Sequence, residues 1–288
     1  MNAPSLRGLG LLVLGTFAVL SGACKDPGEK SSTLAAEHAT FLATLVDKDV
    51  GEVERGLPEG AKRATATFAD GAGIQRDPQQ VRKGLQKIQR DVSDLLVAKS
   101  TFFALVDDKG IAIRNNLEPD AMAGKDLFSL FPALKTADAT PFVTTVGQFP
   151  EAAIGPRPDR TWVAGCPVKK DDGKIIGYYV TGWSYRGFAH HLQESLLADL
   201  KGKLLAAGDT GKLPILYVAV FDANGVYAER QTPEINETTL AGLKLGEATA
   251  AGPAHGVVKV TERSYGWAAA RTPKLGKDTG VAILRSEI

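Results

Sequence analysis

The sequence predicts an α+β protein in which long N-terminal helices precede two antiparallel sheets arranged in tandem. Apolar residues recur at helical spacing up to about residue 99, and the period then changes to that of strands. FALVDDKGIAIR at residues 103–114 aligns without a gap with VAVFDANGVYAE at residues 218–229, which indicates an internal repeat. With 44% hydrophobic residues, a chain of 288 residues has enough apolar material for two packed cores.

The N-terminal part of the chain predicts three helical stretches. Apolar side chains repeat every three or four positions over residues 33–55, as in an amphipathic helix. Residues 56–60, Gly-Leu-Pro-Glu-Gly, predict a break because glycine and proline both disfavour a helix interior, and a weaker helix follows over residues 61–68. Asp77 predicts an N-cap before Pro78, and the helix that begins there should reach about residue 99.

Each copy of the repeat predicts a hairpin followed by further strands. Both hairpin turns contain Asp and Gly at the same two positions, residue types that turns favour. The predicted strands of the first copy cover residues 101–106, 111–115, 162–168 and 175–183. Those of the second copy cover residues 216–221, 226–230, 267–270 and 281–284.

The domain organisation follows from these patterns. We expect, in chain order, a signal peptide, a polar tether, an N-terminal helical segment, a first domain, a connecting helix and a second, smaller domain. Their predicted boundaries are residues 1–23, 24–32, 33–100, 101–190, 191–212 and 213–288.

The N-terminus has the features of an export signal. Residues 9–20 form an apolar run of 12 residues, which is shorter than the roughly 20 residues that span a membrane as a helix. Ser21-Gly22-Ala23-Cys24 follows this run and resembles the lipobox of bacterial lipoproteins, which implies that Cys24 becomes the lipidated first residue. Lys25 after the cysteine favours the outer membrane by the sorting habit of enterobacterial lipoproteins. The alternatives are secretion after residue 23 and a buried N-terminal helix.

Composition excludes several classes of function. The 34 basic and 33 acidic residues nearly balance, which argues against a nucleic-acid partner. Two cysteines and four histidines predict neither a disulfide framework nor a metal centre, and no motif indicates a cofactor. Cys166 lies in an apolar run and is expected to be a buried thiol. Since no GxSxG elbow and no nucleophile beside a base is found, the sequence predicts a protein that is not an enzyme.

The repeat and its turns resemble the double Cache family of extracytoplasmic sensor domains, which consist of two tandem PAS-like sheets after a long helix. The resemblance covers residues 33–288 and rests on LVDDKG at 105–110, CPVKKDDGKIIGYYVTG at 166–182 and VFDANG at 220–225. It implies that the first copy binds a small molecule between its sheet and the loops before its last strands.

The resemblance also implies candidate ligand contacts. Arg160-Thr161-Trp162 is similar to the Arg-x-Trp-Tyr run of amino-acid-binding members, although Val163 replaces the tyrosine and no acid ends the final strand. A small carboxylate or another anion is therefore an expected ligand, because an arginine can bind a carboxylate in bidentate fashion. The alternative ligand is an apolar molecule against Trp162 and Trp183. The predicted ligand-binding residues are Arg160, Trp162, Tyr178, Tyr179 and Trp183. The alternative is that Arg160 is a surface charge and Trp162 a core residue.

The leading hypothesis is a lipid-anchored, extracytoplasmic module that binds or senses a small molecule. No second hydrophobic helix and no kinase region follows Ile288, so the signal is expected to pass to a partner in the cell envelope. The first alternative is a structural or protein-interaction lipoprotein that binds no ligand. A second alternative is a hydrolase with a scattered site.

Overall fold

A single long helix begins the part of the chain that the structure describes. The computed structural model describes residues 27–71, 73–99, 101–150, 156–209 and 211–287, so Cys24 and the predicted signal peptide lie outside it. Helix α1 spans Pro27–Phe68. Residues 27–32 of the predicted tether belong to α1, and the first turns of this helix are packed against the second sheet.

The helix break predicted at residues 56–60 is wrong. Leu57 is fully buried, so packing of this stretch outweighs the local preferences of its glycines and proline. A Cβ at Gly60 would come within 2.8 Å of Leu95 and 2.5 Å of Tyr179. The glycine thus allows two buried side chains to approach the helix backbone closely, which is why it lies inside a helix.

Two shorter helices follow α1. A small hairpin of β1 (Ala69–Asp70) and β2 (Gly73–Ile74) leads to α2 (Pro78–Asp91) and α3 (Ser93–Val97). The N–H of Gln80 donates to Asp77 at 2.8 Å, which forms the predicted N-cap of α2. The single helix expected up to residue 99 is divided at Val92, whose extended backbone separates α2 from α3.

The first sheet has five antiparallel strands in the order β4-β3-β7-β6-β5. The short helix α4 (Leu127–Leu130) and a 3₁₀ helix at Pro132–Asp138 cover the face of this sheet that points away from α1, which we call its outer face. The strands are β3 (Phe102–Asp107), β4 (Ala112–Asn115), β5 (Val143–Gly147), β6 (Thr161–Lys169) and β7 (Ile175–Ser184).

Helix α5 (Tyr185–Ala206) connects the first sheet to the second. It begins before the predicted range of 191–212, because Ser184 accepts a hydrogen bond from the N–H of Gly187 and so caps the helix directly after β7. The second sheet then contains β8 (Ile215–Asp222), β9 (Gly225–Ala228), β10 (Ala254–Val260), β11 (Arg263–Arg271) and β12 (Gly280–Ser286). Helices α6 (Glu234–Gly242) and α7 (Leu245–Ala248) lie between β9 and β10.

Both sheets have the same topology. The second sheet has the order β9-β8-β12-β11-β10. Each of its strands occupies the place of the corresponding strand in the first sheet, beginning with the hairpin at one edge. In each copy the central strand of the sheet pairs with the first strand of the hairpin. These pairs are β7 with β3 in the first copy and β12 with β8 in the second. These observations confirm the predicted α+β class with two tandem antiparallel sheets after a long helix.

The main core lies between α1, α5 and one face of each sheet. Its side chains come from α1 (Leu42, Leu57), from the first sheet (Leu105, Trp183) and from the second sheet (Val218, Ile283), all nearly or fully buried. Two smaller cores lie on the opposite faces of the two sheets. Among the residues that the structure describes, no helix combines the length and hydropathy needed to cross a membrane.

His38 on α1 gives the protein a testable dependence on pH. Burial, with smaller contributions from Arg285 and Lys203, lowers the pKa of His38 from 6.5 to about 4. The unfolded chain binds a proton at His38 near pH 6.5, whereas the folded chain binds it only near pH 4. Neutral His38 therefore makes its full contribution to stability above pH 6.5. The free energy of unfolding should fall by roughly 3 kcal/mol as the pH drops through this window.

Urea unfolding of the wild type and of His38→Leu at several pH values checks this expectation. The variant should lose less free energy of unfolding than the wild type as the pH drops from 6.5 to 4, because it lacks the His38 imidazole. The other titrating groups are the same in both proteins. Parallel stability curves for the two proteins between pH 6.5 and 4 would contradict it.

Candidate ligand-binding site

The predicted ligand-binding residues of the first copy do not form one site. Trp162 and Trp183 are opposite each other on β6 and β7, and their rings stack with centroids 4.2 Å apart. Trp183 also stacks on Phe188 of α5 at 4.6 Å. Both tryptophans are at most 2% exposed and face the helices, so their predicted role as ligand contacts is not supported.

The two tyrosines of β7 lie on opposite faces because side chains alternate along a strand. Tyr179 faces the main core, is fully buried and stacks on Phe103 at 5.8 Å. Tyr178 lies on the outer face, where its hydroxyl donates to Asp138 and its ring meets the edge of Phe128. Burial, followed by the Asp138 carboxylate, raises the pKa of Tyr178 above its ordinary value. Tyr179 is therefore not available to a ligand on the outer face.

The outer face of the first sheet is filled by aromatic and aliphatic side chains. We call this region the cup: the space between the first sheet, α4 and the 3₁₀ helix. A Cβ at Gly147 would approach Phe131 to 2.7 Å, and one at Gly165 would approach Leu134 to 2.8 Å. Phe131 and Leu134 thus lie directly on the backbone of the sheet, at most 2% exposed. The cup is packed as a core in its described part.

Arg160 points away from the cup and toward the second copy. Its Nε lies 3.4 Å from Oδ2 of Asp222, the last residue of β8 before the hairpin turn. The side chains of the pair are 19% and 8% exposed, so this contact is largely removed from solvent. In this structure the charge of Arg160 is thus paired with an acid of the second copy, and its role in binding a ligand carboxylate stays a prediction.

Further charged residues join the two copies beside Arg160. Arg186 is 3% exposed and donates to both carboxylate oxygens of Glu237 on α6, at 2.7 and 2.8 Å. The same guanidinium donates to the carbonyl oxygens of Pro158 and Ala228, each at 2.9 Å. We call Arg157, Arg160, Arg186, Asp222 and Glu237 the junction cluster.

Arg157 binds the same acid as Arg186. Its Nη1 donates to Glu237 at 2.7 Å, and its Nη2 donates to the carbonyl oxygen of Arg230 at 2.6 Å. Asp159 lies next to Arg160 in the chain. Its carboxylate accepts hydrogen bonds from the backbone N–H groups of Arg160 and Arg186, at 2.8 and 3.2 Å. Burial raises the pKa of Asp159, although these N–H groups oppose that shift. Apart from Arg160, the members of this cluster were not predicted from the sequence, because the arginines and their acids lie far apart in the chain.

Three further titratable side chains of the described residues, Cys166, His190 and His191, have separate surroundings. Burial raises the pKa of the free Cys166 thiol to about 12, so the group stays protonated at neutral pH. His190 and His191 contact different acids, Glu229 at 3.4 Å and Asp49 at 3.0 Å. Within the described ranges, no three His, Cys, Asp or Glu residues are grouped to hold a metal ion.

An open pocket of about 470 Å³ lies on the second copy. It is formed by the β8–β9 turn on one side and by α6, α7 and the end of β11 on the other. Charged residues of both signs line it, namely Asp222, Lys244, Glu247, Arg271 and Asp278. This volume is within the range of small-molecule sites, and Asp222 belongs both to the pocket and to the junction cluster.

Comparison with known proteins identifies the fold. The sequence matches no family profile and no curated protein. The structure is similar to the extracellular domain of vpHK1S-Z8, assigned as a histidine kinase, with a TM-score of 0.53 and 8% identity over 91% of this chain and 92% of that one. It is also similar to an extracellular ligand-binding receptor from Desulfohalobium retbaense, with a TM-score of 0.50, 12% identity and 87% of this chain covered.

This chain covers 40% of the length of the Desulfohalobium receptor. The similarity concerns the fold, which consists of two tandem PAS-like sheets on a shared long helix, the arrangement expected for the double Cache fold. Both of these solved structures are described as extracellular, one as a domain of a histidine kinase and the other as a ligand-binding receptor.

The junction cluster allows a test of how firmly the two copies are joined. Glu237→Ala would leave two largely buried guanidinium groups without their carboxylate and should lower the free energy of unfolding by about 3–5 kcal/mol. Glu234→Ala is the matched control, since it removes an exposed acid from the same first turn of α6. Urea unfolding measures both changes. Equal effects of the two substitutions would show that the cluster contributes no more than an exposed charge.

Proposed function

We propose that this chain is an extracytoplasmic module that binds a small molecule, a small carboxylate in particular, and that passes the binding event to an envelope partner. The observation that carries the proposal is the tandem PAS-like architecture on a shared helix, found over nearly all of the described chain. Helix α1 and the junction cluster connect the two copies, which supports a role in transmitting a structural change.

A second candidate is a structural or protein-interaction lipoprotein that binds no ligand. The packing of Phe131 and Leu134 onto the sheet backbone favours this alternative for the first copy, since no room remains between these side chains and the strands. The open pocket on the second copy favours the binding function.

A thermal-shift screen of small carboxylates and amino acids tests the binding function. A ligand that binds only the folded protein stabilises it by about 2.7 kcal/mol at one hundred times its Kd, which corresponds to a rise of several degrees in Tm. We expect at least one carboxylate to raise the Tm in a concentration-dependent manner, while sodium chloride at equal ionic strength does not. If no compound changes the Tm, the second candidate is favoured.

We also propose that Cys24 carries the lipid anchor and that the protein faces the periplasm, with the outer membrane favoured by Lys25. Cys24→Ala should move the protein from the membrane fraction to the soluble fraction of fractionated cells. Cys166→Ala is the control, because Cys166 is the buried thiol and its loss should leave membrane association unchanged. Membrane association of the Cys24→Ala protein would disprove the anchor.

A further inference from the structure

We propose that the ligand site of this protein is the pocket of the second copy, between the β8–β9 turn and helices α6 and α7. The ligand class that fits it is a small carboxylate that also carries a hydrogen-bond donor, such as an amine or a hydroxyl group. This inference rests on the proposed binding function and assigns it to one place in the fold.

The internal repeat provides the first argument, because the same turn is closed in one copy and open in the other. Gly110 and Gly225 occupy matching positions in the two hairpin turns. A Cβ at Gly110 would overlap the ring of Phe128, a residue of α4 that is 9% exposed. A Cβ at Gly225 would meet only the Tyr227 side chain, at 3.6 Å or more. Phe128 therefore lies directly on the turn glycine of the first copy, whereas no side chain approaches the turn glycine of the second copy that closely.

The wall formed by Arg271 offers a place for a carboxylate. Its Nη2 donates to the carbonyl oxygen of Gly246 at 2.6 Å, which fixes the guanidinium beside α7. Its Nη1 lies 3.1 Å from Asp278, whose side chain is 58% exposed, and its buried Nε has no partner among the described residues. Since exposed ion pairs contribute little, a ligand carboxylate can replace Asp278 at small cost. Lys244, also in the wall, adds a second positive charge.

The opposite wall, at the β8–β9 turn, offers acceptors for a donor group. Asp222 is 8% exposed and is held by the N–H groups of Asn224 and Gly225, at 2.7 and 3.2 Å. A carboxylate fixed in this way can accept a hydrogen bond from an ammonium or hydroxyl group without reorganising. Val226 and Leu245 supply apolar contact between the two charged walls. A ligand with a carboxylate and a donor satisfies both walls at once.

Asp222 also connects the pocket to the first copy. The only group outside the turn with which it pairs among the described residues is Arg160, at 3.4 Å. A ligand donor at Asp222 would share this carboxylate with Arg160, so occupancy of the pocket would be felt at the junction cluster.

Isothermal titration of the full chain with acetate, L-lactate and L-alanine tests the ligand class. These probes share the carboxylate and differ in the group on the next carbon. We expect lactate and alanine to bind about tenfold more tightly than acetate, the difference that one additional hydrogen bond commonly makes. Equal affinities for the three probes, or no binding at about 10 mM of any of them, would overturn the assignment.

Gly246→Leu tests the location, because no atom lies within 4 Å of a Cβ at Gly246 and the added side chain would occupy the pocket. Gly242→Leu is the matched control: Gly242 is also exposed, has the same free space and lies outside the pocket lining. We expect Gly246→Leu to weaken binding by at least about tenfold and Gly242→Leu to leave it unchanged. Equal binding by both variants would overturn the location while leaving the proposed function intact.

Lys244→Gln provides a second variant in case Gly246→Leu does not fold. The Lys244 side chain is 72% exposed, so its loss should not affect folding. It should weaken binding of all three probes by a similar factor of roughly three, since it removes a charge that attracts the shared carboxylate. Unchanged affinity of Lys244→Gln for every probe would count against the pocket. If no probe binds the wild type but another compound raises the Tm, only the present inference fails.

Discussion

The apolar stripe of α1 packs against both sheets, and the arrangement of the rest of the protein depends on this packing. Ser31 and Ser32, near its start, lie against Gly266 of the second sheet, whereas Gly60, near its end, lies against Tyr179 of the first. A helix of 42 residues is roughly 63 Å long, which is enough to serve two sheets in succession. One face of each sheet is therefore buried on the helices, and the opposite face carries the smaller cores.

The two copies use this remaining face differently, although they share a topology. In the first copy, Phe128 and Phe131 lie on the turn and the strands and close the cup. In the second copy, α7 carries Gly246 near the equivalent turn, and a pocket of about 470 Å³ remains. Phe128 lies directly on the turn of the first copy, whereas the turn of the second copy borders an open pocket beside a packed outer core.

The junction cluster complements the apolar core by providing directional contacts between the copies. Two arginines share the carboxylate of Glu237. Five backbone carbonyl groups also accept from these arginines within 3.3 Å, at Pro158, Ala228, Glu229, Arg230 and Thr232. Apolar packing tolerates sliding, whereas bidentate hydrogen bonds hold one orientation. This arrangement explains why Arg160, expected in a pocket, belongs to the contact between domains instead.

The sequence alone determined the α+β class, the tandem repeat and the hairpin turns, because these depend on local periodicity and on turn chemistry at residues such as Asp107 and Asp222. It also indicated the N-cap at Asp77, which acts within one turn of a helix. The tertiary structure decided that α1 continues through Pro58, since Leu57, Leu95 and Tyr179 pack there. It also decided on which side of the sheet Trp162 and Trp183 lie and which acid neutralises Arg160. Those outcomes depend on contacts between segments far apart in the chain, which hydrophobic periodicity and motif spacing do not encode.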